Sequence, residues 1–137
     1  MLFVDTNVLL YSISTRPAEA AKAGKSEAIL AAGDWALSVQ VLQEFYTNAT
    51  RPSHQGAMSH EEAAKLVRGF CTFPVQQITL SIFQAALSTK QRFQLNYWDA
   101  AIIEAARALG CDTVLTEDLN HGQDYGGVRV VNPFLEA

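Results

Sequence analysis

Cysteine is scarce in this sequence: Cys71 and Cys111 are the only two, they lie far apart, and neither belongs to a CxxC pair. Neither a disulfide framework nor a zinc knuckle is supported, and with no secretory signal beside the first residues a reducing, cytoplasmic location is the expectation. Long apolar runs are missing too. The opening Leu2-Phe3-Val4 is cut short by Asp5, and nothing approaches the roughly eighteen apolar residues that a membrane span requires. Cations are the third shortage: ten Lys and Arg against fourteen Asp and Glu give a formal charge of −4. That balance argues against a protein that tracks a nucleic-acid backbone by positive charge, but it leaves open a nuclease whose acids hold metal. Repeats, low-complexity tracts and charge blocks are likewise lacking.

What is present is enough apolar material for one core. With 49% apolar and 18% charged residues over 137 positions, the chain is expected to form a single domain, 1–137. Leu2 to Val4 and Trp35 to Ser38 read as short, buried parallel strands, and Val8 to Ile13 and Ser26 to Ala32 as helices, the second closed by Gly33. Val39 to Ala49 places Val41, Leu42, Phe45, Tyr46 and Ala49 on one helical face. After a polar break from Thr50 to Ser59, a helix runs through Leu66, Val67 and Phe70. A strand is expected around Val75 to Ile78, helices over Ser81 to Arg92 and Tyr97 to Leu109, and strands at Thr113 to Leu115 and Val128 to Val131. The alternation predicts an α/β domain whose central parallel sheet is covered on both faces.

In such sheets ligands bind at the carboxyl ends of the strands, near the point where strand order reverses. Asp5 follows the first strand directly and Asp118 follows Thr113-Val114-Leu115 closely, so both carboxylates emerge at that edge. Asp5 equally suits an N-cap, and Asp118 a turn with Asn120 and Gly122, so neither marks a site alone. Asp99 lies off the polar side of its helix, which Glu104 and Arg107 define, and in line with Ile102, Ile103 and Ala106. It also suits a cap with Asn96 three residues before it. Glu44 stands at the border of its helix's apolar face, a place that is ordinarily solvated. The set says more than its members. Two unit charges 4 Å apart repel by about 4 kcal/mol at an effective dielectric of 20, so converging carboxylates need raised pKa values or a cation. No Lys or Arg adjoins these motifs, and all-oxygen ligands favour Mg²⁺, with Mn²⁺ as substitute. Phosphodiester hydrolysis is the chemistry such an ion serves.

The stretches Phe3-Val4-Asp5-Thr6-Asn7, Val41-Leu42-Gln43-Glu44-Phe45-Tyr46, Tyr97-Trp98-Asp99-Ala100-Ala101-Ile102 and Leu115-Thr116-Glu117-Asp118-Leu119 resemble, in order and across nearly the whole chain, a PIN-domain ribonuclease. The ending Glu117 to Gln123, with Val131-Asn132-Pro133-Phe134, is similar to VapC-type toxins of toxin–antitoxin pairs. The resemblance implies a three-layer α/β/α domain with strand order 3-2-1-4-5. It implies an acidic metal site of Asp5, Glu44, Asp99 and Asp118, supported by Thr6, Asn7, Ser38 and Thr116, with Glu117 placed to share the role of Asp118. Cleavage of single-stranded RNA, a small antitoxin partner and a homodimer built through helix faces follow as expectations. A catalytically silent PIN-like RNA-binding or scaffold module is the alternative, and such a module should lack at least one of the four acids.

Other readings fit less well. A haloacid-dehalogenase-like phosphatase places a second aspartate where Asn7 stands, and a receiver domain needs neighbouring acids after its first strand and a lysine near its last. His54, His60 and His121 are too scattered for a paired acid and base. Trp98, Phe45, Tyr46, Phe70, Phe73 and Phe83 are of a kind that stacks on bases, but their helical spacing assigns them to core or subunit packing. Arg16, Lys22, Lys25 and Arg51 could rim the groove and hold phosphates, but charges so dispersed are assigned to solvated faces.

Overall fold

The structure, a computed structural model, describes residues 1–52 and 56–135; the expectation for His54 lies outside them. The strands are β1 (Leu2–Val4), β2 (Trp35–Ser38), β3 (Val75–Gln76), β4 (Thr113–Leu115) and β5 (Arg129–Val131), and the helices are α1 (Thr6–Ser12), α2 (Ala20–Ala32), α3 (Val39–Ala49), α4 (His60–Phe70), α5 (Leu80–Phe93) and α6 (Tyr97–Ala108). All strand pairs are parallel, in the order β3-β2-β1-β4-β5, as the resemblance implied. The crossovers run from β1 outward to β3 and then return to β4, so order reverses between β1 and β4. These two strands pair in register, Val4 opposite Leu115, and their carboxyl ends therefore lie side by side.

Burial explains why such short strands hold. Every residue of β2 is buried, and Phe3, Val4, Leu37, Val114 and Val130 are fully enclosed by helices packed on the two faces. Phe45 and Val41 of α3 and Ile103 of α6 complete that core. Each such side chain contributes roughly 1.5–3 kcal/mol when fully buried. Gly33, at φ +81°, ends α2 in the left-handed conformation that costs glycine least.

Boundaries differ from expectation where caps, not periodicity, set them. α1 begins at Thr6 because Asp5, extended at φ −82° and ψ 167°, caps it. α2 begins at Ala20, well before Ser26, continuing a 3₁₀ turn that Pro17 opens. Its first residues are rich in alanine, which favours helix but carries no apolar period. α5 runs to Phe93 and closes on Gln94 at φ 58°, a left-handed cap without the glycine that would announce it. β3 keeps only two residues of the expected strand. On the side of α6 bearing Glu104 and Arg107, only Arg107 reaches solvent: Glu104 is buried and accepts a hydrogen bond from the Thr89 hydroxyl of α5 at 2.7 Å.

Candidate active site

At the β1/β4 edge the carboxylate of Asp5 is almost fully buried and held by both oxygens. Its Oδ1 accepts from the Thr6 backbone N–H at 2.7 Å and its Oδ2 from the Thr116 hydroxyl at 2.9 Å. Asp5 itself donates its backbone N–H to Leu115 O at 3.0 Å, so sheet pairing fixes the group from behind. Thr116 also accepts from Asn7 Nδ2 at 3.0 Å and from the Asp118 backbone N–H at 3.1 Å. One hydroxyl thus ties the end of β1, the start of α1 and the turn after β4 together. Asn7 Nδ2 further donates to Asp118 Oδ2 at 3.3 Å, while Asn7 Oδ1 is buried and has no partner.

Two helices add the other acids. Ser38 caps α3, accepting from the Val41 N–H at 3.3 Å, and the helix so started brings Glu44 to the Thr6 hydroxyl, which donates to its Oε1 at 2.8 Å. On α6, Asn96 accepts from the Asp99 N–H at 2.9 Å and donates to Asp99 Oδ2 at 2.8 Å. Asp99 is therefore both a cap partner and a cleft residue; the two roles coexist.

Asp5, Glu44, Asp99 and Asp118 line one cleft of about 210 Å³, together with Thr6, Asn7, Gln40, Asn48 and Trp98, and no Lys or Arg lines it. Of the other residues singled out, Thr116 lies beneath Asp5, and Ser38 and Glu117 are not cleft residues. Glu117 turns aside to accept from Lys22 Nζ at 3.0 Å and Tyr11 Oη at 3.1 Å. His60 bonds Tyr46 Oη at 2.9 Å, and His121 Nδ1 accepts from the Asn132 N–H at 3.0 Å. The polar cleft residues that sequence reasoning passed over are Gln40 and Asn48, which with Glu44 occupy every fourth position of α3 and form one polar stripe; Trp98, assigned to packing by its spacing, borders the cleft as well.

Electrostatics sets this cleft apart. Burial, with the repulsion of Glu44 and Asp118, pushes Asp5 up to about 7 against the hydrogen bonds from Thr6 and Thr116. Asp99 is raised as well, chiefly by burial and then by Asp118 and Glu44, against the bond from Asn96. Among the described residues no three His, Cys, Asp or Glu side chains stand close enough together to hold an ion as they are placed. The cleft gathers the acids without closing them into a cage. Their chemistry still suits a hard divalent cation: every charged donor is a carboxylate, the Asn7 carbonyl oxygen is unpartnered, and no cationic side chain competes.

The class defined by this fold and site is an open parallel α/β domain with a carboxylate cluster at its topological switch point. The PIN domain family model matches residues 2–123, and the chain belongs to that family. A comparison with curated proteins gives no match. Among solved structures, a toxin–antitoxin complex from Klebsiella pneumoniae is similar at 20% identity, with a TM-score of 0.71 and 98% of each chain covered. The sarcin–ricin-loop-cleaving toxin VapC20 of Mycobacterium tuberculosis shares 21% identity, with a TM-score of 0.67 over 86% of this chain and 92% of that one. DNA-bound VapBC from Salmonella typhimurium shares 17%, at 0.64, over 94% and 95%. At such identities the likeness is one of fold.

Proposed function

We propose that this PIN domain is a metal-dependent endoribonuclease that hydrolyses single-stranded RNA to 5′-phosphate and 3′-hydroxyl ends, and that it is the toxin of a toxin–antitoxin pair. The observation that carries the reading is the convergence of Asp5, Glu44, Asp99 and Asp118, from two strand ends and two helices, on one cleft without a cation. Asp5 and Asp99 would be the chief holders of Mg²⁺, or of Mn²⁺ in its place, with Asp118 and Glu44 completing the set. When bound, the ion polarises the phosphate and lowers the pKa of the attacking water. The chain's own part is positioning. Thr116 and the Thr6 N–H fix both oxygens of Asp5, Asn96 holds Asp99, and Asn7 tethers Asp118. Burial, and after it the repulsion of Glu44 and Asp118, raises the pKa of Asp5, and a bound cation would offset both.

The toxin reading is supported by the fold shared with chains of a toxin–antitoxin complex and of DNA-bound VapBC. An acidic, open cleft accepts an Arg or Lys from an antitoxin peptide, which would compete with the metal. The chain has no described helix long and apolar enough to cross a membrane, and action on cellular RNA in the cytoplasm is part of the proposal. So is a homodimer, supported by the exposed Leu80, Phe83 and Leu87 of α5.

The purified protein should cut an unstructured RNA in Mg²⁺, stop in EDTA and resume when Mg²⁺ is restored, with end mapping returning 5′-phosphates. Undiminished cutting in EDTA overturns the metal assignment. Binding without turnover in Mg²⁺ returns the domain to the silent RNA-binding alternative. Growth arrest on expression, relieved by a small protein encoded beside it, tests the toxin role.

A further inference from the structure

The cleft lining poses a problem for substrate binding. It offers four carboxylates and the amides of Asn7, Gln40 and Asn48, but no cationic side chain for the phosphates beside the scissile one. Lys22 is engaged elsewhere, 3.0 Å from Glu117 and 4.8 Å from the centre of the Tyr11 ring. A bound ion can hold one phosphate, but the flanking nucleotides need a contact of another kind.

Trp98 has the properties of that contact. Periodicity assigns it to packing, yet it is 62% exposed, whereas Trp35 is 2% exposed and stacked on Phe73 at 3.9 Å. It precedes Asp99 directly and borders the same cleft as the four acids. Gln40 Nε2 holds its backbone, donating to the carbonyl oxygen at 3.2 Å, and the Tyr97 ring meets the indole edge-on at 5.0 Å. A large, held, solvent-facing π surface beside a phosphate-binding centre is what unpaired bases stack on, and stacking needs no positive charge.

We propose that Trp98 is the stacking platform for an unpaired RNA base next to the scissile phosphate, so that the domain reads single-strandedness through this ring. The inference rests on the RNA-cleavage reading and deepens it. Trp98 also borders a smaller apolar hollow shared with Ile78 and Phe83. A second copy of the chain covering the ring is therefore the competing outcome; the RNA base is favoured because Trp98 and Asp99 share one cleft.

The chain has two tryptophans, and their opposite burial makes emission a direct probe. Rapid mixing of the protein in Mg²⁺ with a single-stranded RNA dodecamer should quench the red-shifted, exposed emission before any cutting, and Trp98→Phe should abolish that signal. In steady state, Trp98→Ala should raise KM about tenfold with kcat held within about twofold, and Trp98→Phe should recover most of the loss, in the range of one base stack. An abasic site beside the cut should cost the wild type what it no longer costs Trp98→Ala. An unchanged KM in Trp98→Ala, or dimer dissociation by sedimentation in place of a KM change, overturns the inference while cleavage itself stands. Absence of both quenching and cleavage in the wild type removes the ribonuclease reading along with it.

Discussion

Two carboxylates in this domain are buried to almost the same degree, Asp5 at 5% and Glu104 at 6% exposure, and their surroundings are opposite. Glu104 accepts from Arg107 Nε at 2.9 Å and from the Thr89 hydroxyl at 2.7 Å. Arg107 in turn donates to the carbonyls of Tyr125 and Gly126, both at 2.6 Å. This is a neutralised cluster that fastens α6 to α5 and to the loop before β5. Asp5 has hydrogen bonds of comparable length, yet its charged neighbours are Glu44 and Asp118. Burial alone does not separate a structural acid from one proposed to hold metal; the sign of the neighbouring charge is what differs between these two.

The largest expected effect tests that division through activity. Asp5→Asn and Asp99→Asn, and Asp118→Asn beside them, should each lose about a thousandfold or more in RNA cleavage, equivalent to about 4 kcal/mol in the barrier. Glu104→Gln should cut at close to the wild-type rate. Comparable losses in all four variants would dissolve the distinction.

Stability against pH gives the second test. A carboxylate raised from about 4 in the unfolded chain to about 7 in the fold binds more protons when folded. Stability of the metal-free protein therefore falls as pH rises between those values, by at most about 4 kcal/mol for Asp5. Asp99, also raised, adds in the same direction. Urea titrations from pH 4 to 8 in EDTA should show this decline, and Asp5→Asn should flatten most of it and be the more stable protein at pH 8. Mg²⁺ should restore the wild type at high pH and do little for the variant. A wild-type profile that rises over this range would contradict the burial, and with it the repulsion, assigned to Asp5.

Glu104 gives the converse. Glu104→Ala leaves Arg107 and Thr89 without their shared acceptor and should cost about 2–3 kcal/mol, below the full value for a buried pair because Arg107 is partly exposed. That corresponds to a fall in Tm of roughly 5–10 °C for a chain of this size. Asp5→Ala, by contrast, removes a repulsive charge and should cost less at pH 8 than at pH 4.

The contrast between these acids was only half legible from sequence. The strands are short apolar runs closed by caps, and their ends single out Asp5 and Asp118. The order of the strands came from the resemblance, since local patterns do not encode which strand pairs with which. Glu104 was placed on a polar face because periodicity describes one helix at a time, and only the docking of α5 through Thr89 turns that face inward. Asp99 looked ambiguous because the Asn96 cap and the cleft use the same side chain. Trp98 was hidden by a similar gap: helical spacing marks aromatic positions but not which of them a neighbouring element leaves uncovered.

Consecutive residues supply the finest test. Glu117 and Asp118 both follow β4, and no composition or spacing distinguishes them. The chain turns there so that Asp118 borders the cleft, its backbone N–H donating to Thr116, while Glu117 meets Lys22 and Tyr11, one turn along α1 from the Asn7 that holds Asp118. Lys22 also lies 5.8 Å from the Phe134 ring centre, so the pair helps anchor the end of the chain against α1 and α2. An ion pair this accessible contributes up to about 1 kcal/mol, and salt weakens it. Glu117→Gln should therefore lower stability by less than about 1 kcal/mol, a difference that shrinks in high salt. It should leave the Mg²⁺ dependence of RNA cleavage unchanged, whereas Asp118→Asn should shift that dependence to higher Mg²⁺. If Glu117→Gln moved the Mg²⁺ midpoint as far as Asp118→Asn does, the two acids would share the ion, and the contact with Lys22 would be a resting position that Glu117 leaves when metal binds.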